Sequence, residues 1–235
     1  MDKRRVVVTG LGCITPVGNS VDEFWSSLML GKSGVSDITV FDAENMAVKF
    51  SASIKDFDAE KYFDLKEQRK LDLFMQYGMA AGIDAVNDSM LNDADLDTER
   101  VGIAIGSGIG GLPSIETTHN TYLKSGPRRI SPFFIPATII NMISGNLSIK
   151  YGYKGPNLSI VTACTTGTHN IGEGFRQIQY SHADVMICGG AEMATTPLGI
   201  GGFAAARALS TRNDEPQKAS RPWDTERDGF VLGDG

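Results

Sequence analysis

Three cysteines, Cys13, Cys164 and Cys188, are the side chains of this 235-residue chain best suited to covalent chemistry, and one of them sits where a thiol could be activated. Cys164 ends the β-prone run Asn157-Leu-Ser-Ile-Val-Thr-Ala and is followed by Thr165-Thr166-Gly167. A 3.6-periodic segment then begins, with Ile171, Phe175 and Ile178 on one face. This spacing places Cys164 on a tight strand-to-helix turn. There the positive end of the helix and its unpaired N–H groups favour thiolate over thiol, and the same groups could hold a developing oxyanion. The competing reading is an inert cysteine of the core, a common fate for this residue type. A nucleophilic cysteine also needs a base or a cationic neighbour. The chain offers only His119, His169 and His182, and His169, five residues after Cys164, does not share its face of a helix turn. The base therefore comes from remote sequence or is absent from this chain.

The remaining candidates weigh differently. Gly106-Ser-Gly-Ile-Gly-Gly111 satisfies the Gly-x-Gly-x-x-Gly pattern after a strand. The acidic residue expected about 20 positions later would fall near Arg128-Arg129-Ile130-Ser131, where there is none. These glycines read better as a loop approaching an acyl pocket or the nucleophile. Lys66, Arg69 and Lys70 put three positive charges on about one helix turn, which is either a solvated face or a docking patch for an acidic partner. Phe133 and Phe134 read as packing residues, and Cys13 and Cys188 as core residues near strand ends. No Cys-x-x-Cys pair or metal-ligand cluster is present.

The elements that must position Cys164 follow from pattern. Consecutive Val6, Val7 and Val8 predict a buried first strand over 4–8, ended by Thr9-Gly10. Ser20 and Glu23 form a capping-box pair, so a helix is expected over about 21–30, burying Phe24 and Leu28 and stopping at Gly31. A short strand is expected over 49–54. From Lys66 to Met90 the apolar period is helical, and Gly78 and Gly82 within it point to a close helix crossing or to two pieces. Val101–Ile105 predicts a second buried strand, followed by a short helix to about Leu123 and a turn-rich loop over 124–132. Pro132 and Pro136 should keep Phe133-Phe134-Ile135 extended, with helix resuming over 137–150. Strands at 157–161 and 183–188, a helix within 198–209 and irregular polar chain over 213–228 complete the pattern. Strands alternating with helices argue for an α/β fold on a mostly parallel sheet, read here as one domain.

Composition narrows the function classes. The net charge of −6 argues against nucleic acid as a bulk partner. The start Met-Asp-Lys-Arg-Arg lacks the apolar core of a signal peptide, and nothing reads as a membrane span. An odd cysteine count without a disulfide framework fits a reducing, cytoplasmic compartment, in which the sequons at Asn146 and Asn157 are chance matches. Gly229-Phe-Val-Leu-Gly-Asp-Gly235 opens a further element, so the chain is expected to be incomplete at its carboxyl end.

Several long motifs carry a family resemblance: Arg5-Val-Val-Val-Thr-Gly-Leu-Gly12, Ile105-Gly-Ser-Gly-Ile-Gly-Gly111, Gly126-Pro-Arg-Arg-Ile-Ser-Pro-Phe-Phe134, Thr162-Ala-Cys-Thr-Thr-Gly167, Ala183-Asp-Val-Met, and Ser220-Arg-Pro-Trp-Asp through Gly229-Phe-Val. On these the chain resembles the elongating β-ketoacyl-[acyl carrier protein] synthases of bacterial fatty acid synthesis, within the thiolase superfamily, and most closely their type II group. The resemblance implies the layered αβαβα thiolase architecture, with this chain as the first α/β half. It implies that Cys164 takes an acyl group from acyl carrier protein, and that malonyl-carrier protein then loses CO2 and attacks the thioester to give 3-oxoacyl-carrier protein. It further implies Ile109 in the deep acyl pocket, Phe203 as a wall of the acyl site, Phe134 reaching the pocket of the other subunit of a homodimer, and Lys66, Arg69, Lys70 and Arg207 as the carrier-docking face. His169 becomes a structural neighbour. No cofactor or metal is implied. Two histidines, a lysine and a gatekeeping phenylalanine would come from the family's carboxyl-terminal half. Two alternatives stand beside this: a non-catalytic partner like the chain-length factors or an inactive fragment, and a thiolase acting on acyl-coenzyme A.

Overall fold

The computed structural model describes residues 4–235. In chain order its helices and strands are α1 (Val21–Met29), β1 (Ser36–Asp37), β2 (Phe50–Ser51), α2 (Leu65–Gln68), α3 (Leu73–Asp88), β3 (Val101–Gly106), α4 (Leu112–Ser125), α5 (Phe134–Thr138), α6 (Met142–Tyr151), β4 (Asn157–Leu158), α7 (Thr166–Gln179), β5 (Val185–Gly190) and α8 (Pro197–Ala205). They fall into two compact units interleaved along the chain. One comprises residues up to Cys13 and Asp58–Glu192; the other comprises Ile14–Phe57 and Met193–Gly235.

The first unit is built on a three-stranded parallel sheet in the order β4-β3-β5. Every residue of β3 is buried, as its unbroken Val-Gly-Ile-Ala-Ile-Gly run requires of a central parallel strand. Its register with β5 runs from Val101 opposite Val185 to Gly106 opposite Gly190. Helices α3, α6 and α7 pack on these strands, which bears out the α/β expectation.

The long helical period from Lys66 resolves into two helices. The break lies at Asp72 rather than at the glycines. Asp72 caps α3 by accepting from Phe74 N–H at 3.2 Å, and its other oxygen accepts from Ser114 N–H at 3.0 Å in the first turn of α4. One buried carboxylate thus serves two helix starts, and burial raises its pKa. The close crossing expected at Gly78 and Gly82 is present: a Cβ at either would lie 2.6 Å from Ile143 Cδ1 or 2.7 Å from Leu147 Cδ1 of α6.

Two expectations in this unit are corrected. Residues 4–8 form no strand: they pair with neither β4 nor β5, the two edge strands of the sheet. Val7 and Val8 are exposed, and Val6–Val8 line an apolar cavity of about 300 Å³ with Ile171, Phe175 and Ile178 of α7. The chain start is instead tied by charge, Arg4 and Arg100 both pairing with Asp184 at 2.5 and 2.7 Å. Arg100 and then Arg4 hold that carboxyl below its usual range. Phe133-Phe134-Ile135, expected to be extended, instead leads into α5. Pro136 is tolerated because it occupies the third position of that helix, where the N–H would have no intrahelical partner.

The second unit has the antiparallel pair β1–β2, with Ser36 opposite Ser51 and Asp37 opposite Phe50. Its core is Val35, Val48, Phe50, Ala194, Ile200, Leu209, Ala219 and Leu232. Ser20 caps α1 by accepting from Glu23 N–H at 3.2 Å, while the Glu23 carboxylate turns back to Asn19 N–H at 2.9 Å rather than to Ser20. Leu28, expected on the buried face, is exposed, and Ser27 is the residue α1 buries. Asp234 is buried and accepts from the N–H groups of Ala194 and Thr195 at 3.0 and 3.1 Å, closing the approach to α8.

Candidate active site

Cys164 is exposed on the turn between β4 and α7, as its spacing predicts. The turn is made by the residues around it. Thr165 N–H and Thr166 N–H donate to the carbonyls of Thr162 and Ala163 at 3.2 and 3.0 Å. The Thr166 hydroxyl accepts from Thr162 N–H at 3.0 Å, and the Thr165 hydroxyl donates to Thr162 C=O at 2.7 Å. Ala163, immediately before the thiol, has φ +52°, a left-handed conformation that costs alanine about 1 kcal/mol. Such strain persists where the surroundings over-determine it, as is common at functional sites.

The residue that fixes this turn was not singled out by sequence reasoning. Asn170, on α7, is fully buried, and its amide mimics a neighbouring strand. Its oxygen accepts from Ile160 N–H at 3.0 Å, while its NH2 donates to Ile160 C=O at 3.0 Å and Thr166 C=O at 2.9 Å. The chain beyond Leu158 is thereby held although β4 itself is only two residues long. Ser144 on α6 does similar work, its hydroxyl accepting from Ile105 N–H at 2.9 Å and lying 3.0 and 2.9 Å from the Ile105 and Leu158 carbonyls. A buried polar residue one helical turn after the first residue of a helix was the available signal.

His169 Nδ1 lies 2.6 Å from Thr162 Oγ1, so the ring braces the turn as a neighbour. Cys188, unlike exposed Cys164, is half-buried. It points at Gly174 of α7 within β5, and burial pushes its thiol up to about 12. At pH 8 Cys188 is then almost wholly thiol. Iodoacetamide at that pH should modify Cys164 and spare Cys188 in the folded protein, whereas both should react after denaturation; peptide mapping reads the difference. Because its folded pKa lies above its unfolded one, the stability Cys188 contributes is full below about pH 9 and is lost as pH climbs towards about 12.

The glycine loop after β3 comes to the same place. A Cβ at Gly108 would lie 3.4 Å from both Cα and O of Ala163, so the loop carrying Ile109 abuts the cysteine turn. Ile109 is exposed. Phe134 on α5 and Arg69 line another cavity of about 260 Å³ with Asp72, Ser114 and Phe133. The Lys70 ammonium stands 5.1 Å over the Phe133 ring; Lys66, in the first turn of α2, and Arg69, which caps its end, are exposed. In the second unit, Phe203 of α8 meets Phe230 edge-on at 5.3 Å, and Arg207 follows α8 with φ +56°. Among the described residues no group of three or more His, Cys, Asp or Glu side chains could hold a metal ion, and no helix is long and apolar enough to cross a membrane.

Residues 3–235 match the family described as Beta-ketoacyl synthase, N-terminal domain. The 3-oxoacyl-[acyl-carrier-protein] synthase 2 of Vibrio cholerae serotype O1 is 60% identical over all of this chain and 57% of its own length. The synthase 2 of Coxiella burnetii is likewise 60% identical, with the same coverage. Among solved structures, a β-ketoacyl synthase from Burkholderia phymatum superposes with a TM-score of 0.86 at 27% identity, over all of this chain and 57% of its own. A type II polyketide ketosynthase in complex with its acyl carrier protein, AntDE:AntF, gives 0.75 at 30% identity, over 88% of this chain and 57% of its own. The chain spans a little over half the length of the relatives it matches.

Proposed function

Since the chain belongs to the β-ketoacyl synthase family, as its amino-terminal domain, we propose that it carries the nucleophile of a condensing enzyme of fatty acid elongation. In this reading the Cys164 thiolate attacks the thioester carbonyl of an acyl group on the phosphopantetheine arm of acyl carrier protein. The acyl–sulfur bond to the arm breaks, the arm leaves as its thiol, and an acyl-Cys164 thioester forms. Malonyl-carrier protein then loses CO2, and the resulting carbanion attacks that thioester, freeing Cys164 and giving 3-oxoacyl-carrier protein. Covalent catalysis divides one difficult step into two. No cofactor takes part.

The observation that carries the reading is the exposed Cys164 on a turn held by Thr162, Thr165, Thr166 and Asn170, ahead of the 14-residue α7. Backbone N–H groups at this turn, that of Cys164 among them, would stabilise the oxyanion of each acyl transfer. The groups that assist decarboxylation would lie outside residues 1–235. Ile109 and Phe203 would line the acyl site and Phe134 the pocket of a second subunit in a cytoplasmic homodimer. Lys66, Arg69, Lys70 and Arg207 would meet an acidic carrier protein; the ketosynthase of AntDE:AntF, which is captured with its carrier, supports that partner. The synthase 2 names of the 60%-identical relatives, together with the intact nucleophile, favour this over a chain-length-factor-like role or a coenzyme A thiolase.

The test is intact-mass analysis of a synthase carrying this chain, incubated in parallel with acyl-carrier protein and with acyl-coenzyme A. The expected result is one acyl group, mapped to the Cys164 peptide, gained faster from the carrier. A label elsewhere would sink the assignment of the nucleophile, and equal or faster acylation by coenzyme A would favour the thiolase reading.

A further inference from the structure

The loop Ser107–Gly110 is held by one side chain that neither the motif nor its periodicity singles out. Glu192 follows β5 by two residues. Ala191 N–H donates to Gly106 C=O at 3.0 Å, extending the parallel register by one more bond, so Glu192 comes to stand over the loop leaving β3. Its Oε1 accepts from the Ser107 hydroxyl at 2.8 Å and from Gly110 N–H at 3.3 Å, and its Oε2 accepts from Ile109 N–H at 2.9 Å. The Ser107 oxygen in turn accepts from Gly110 N–H at 3.0 Å. Gly108 is the point of contact: a Cβ there would lie 2.8 Å from Glu192 Oε2 on one side and 3.4 Å from Ala163 on the other. The loop is thus clamped between a carboxylate and the residue that precedes Cys164.

We propose that Glu192 is a positioning residue for acyl selection: its carboxylate sets where the Ser107–Gly110 loop, and with it Ile109, stands relative to the Cys164 turn. This rests on the acyl-transfer reading above. Charge-assisted hydrogen bonds to backbone N–H groups are the stronger kind and fix geometry as well as adding energy. Exposed Ile109 has its own backbone N–H on the carboxylate, so the side chain moves only as far as the tether lets it. Because the loop abuts Ala163, on this reading an acyl group on Cys164 has to pass it only when the chain is long. Losing the tether should therefore change discrimination between chain lengths rather than scale all donors together. Glutamine keeps one acceptor oxygen and loses the charge, so its effect should be the smaller.

The experiment measures Cys164 acylation with acyl-carrier proteins of graded chain length, separating kcat from KM, in a synthase carrying this chain and in its Glu192→Gln, Glu192→Ala and Ser107→Ala variants. For Glu192→Ala the ratio of long-chain to short-chain kcat/KM is expected to shift by roughly tenfold, the scale of one or two charge-assisted bonds. The shift should be smaller in Glu192→Gln and Ser107→Ala, while the KM for malonyl-carrier protein stays put. If Glu192→Ala does not fold, the glutamine variant decides. A uniform fall for every chain length, or an unaltered profile, overturns the tether while leaving the acyl-transfer reading intact. A wild-type protein that takes no acyl group at Cys164 overturns both.

Discussion

Cys164→Ser is expected to slow acyl transfer from acyl carrier protein by roughly a thousandfold or more, the scale on which loss of an enzyme nucleophile is felt. Serine nearly preserves size and the turn, but its hydroxyl ionises far less readily than a thiol. The one histidine close in sequence, His169, is engaged with Thr162 Oγ1. Because Cys164 is exposed, the melting temperature should move by less than about 2 °C. Single-turnover acylation followed by mass, with a thermal melt beside it, checks both halves. A serine variant that keeps a tenth of the wild-type rate would remove Cys164 from the mechanism.

Asn170→Ala should be the most damaging single change to the architecture of the site. It deletes three hydrogen bonds and leaves the half-buried Ile160 N–H and C=O without their partner. Unpaired buried polar groups cost about 1–3 kcal/mol each, and the vacated volume adds to this, so a total loss of about 2–4 kcal/mol is expected. For a chain of this size that lowers the melting temperature by about 4 °C or more. Asn170→Asp discriminates the cause: aspartate can still accept from Ile160 N–H but cannot donate to Ile160 or Thr166, and it brings a charge into a buried place. It should be no better than alanine. Denaturant midpoints for the two variants provide the measure, and an alanine variant within 1 kcal/mol of wild type would show that β4 holds itself.

Much of this was legible from local pattern. The turn at Cys164 follows from a β-prone run meeting a helical period, and β3 from an unbroken apolar run, because both are signals that neighbouring residues carry by themselves. The crossing of α3 and α6 was announced by Gly78 and Gly82. Patterns that depend on distant partners misled. Three valines at 6–8 look like a strand, but a strand exists only where it hydrogen-bonds to a neighbour, and residues 4–8 pair with neither edge strand of the sheet. Pro136 looked like a helix breaker because its rank within α5 could not be known before the start of α5 was. Glu192 escaped notice for the same reason, since its worth lies in the Ser107–Gly110 loop more than 80 residues earlier; Asn170 escaped although its partner Ile160 is only ten residues before it, because the chain reverses direction between them. The same limit applies to Phe203 and Arg207, whose chain belongs to the second unit and whose roles were suggested by resemblance alone.

The interleaving of the two units bears on how the chain assembles as it leaves the ribosome. The second unit needs Val35, Val48 and Phe50 from an early segment and Ile200, Leu209 and Leu232 from a late one, with all of Asp58–Glu192 synthesised between them. Its early apolar residues must wait, uncovered, until the last stretch emerges. The sheet of the first unit has every strand available once β5 is out. Domains generally fold as units in the order in which they are completed. The turn carrying Cys164 can therefore be in place while the other unit is still incomplete, and during that interval Val35, Val48 and Phe50 lack the core they later join.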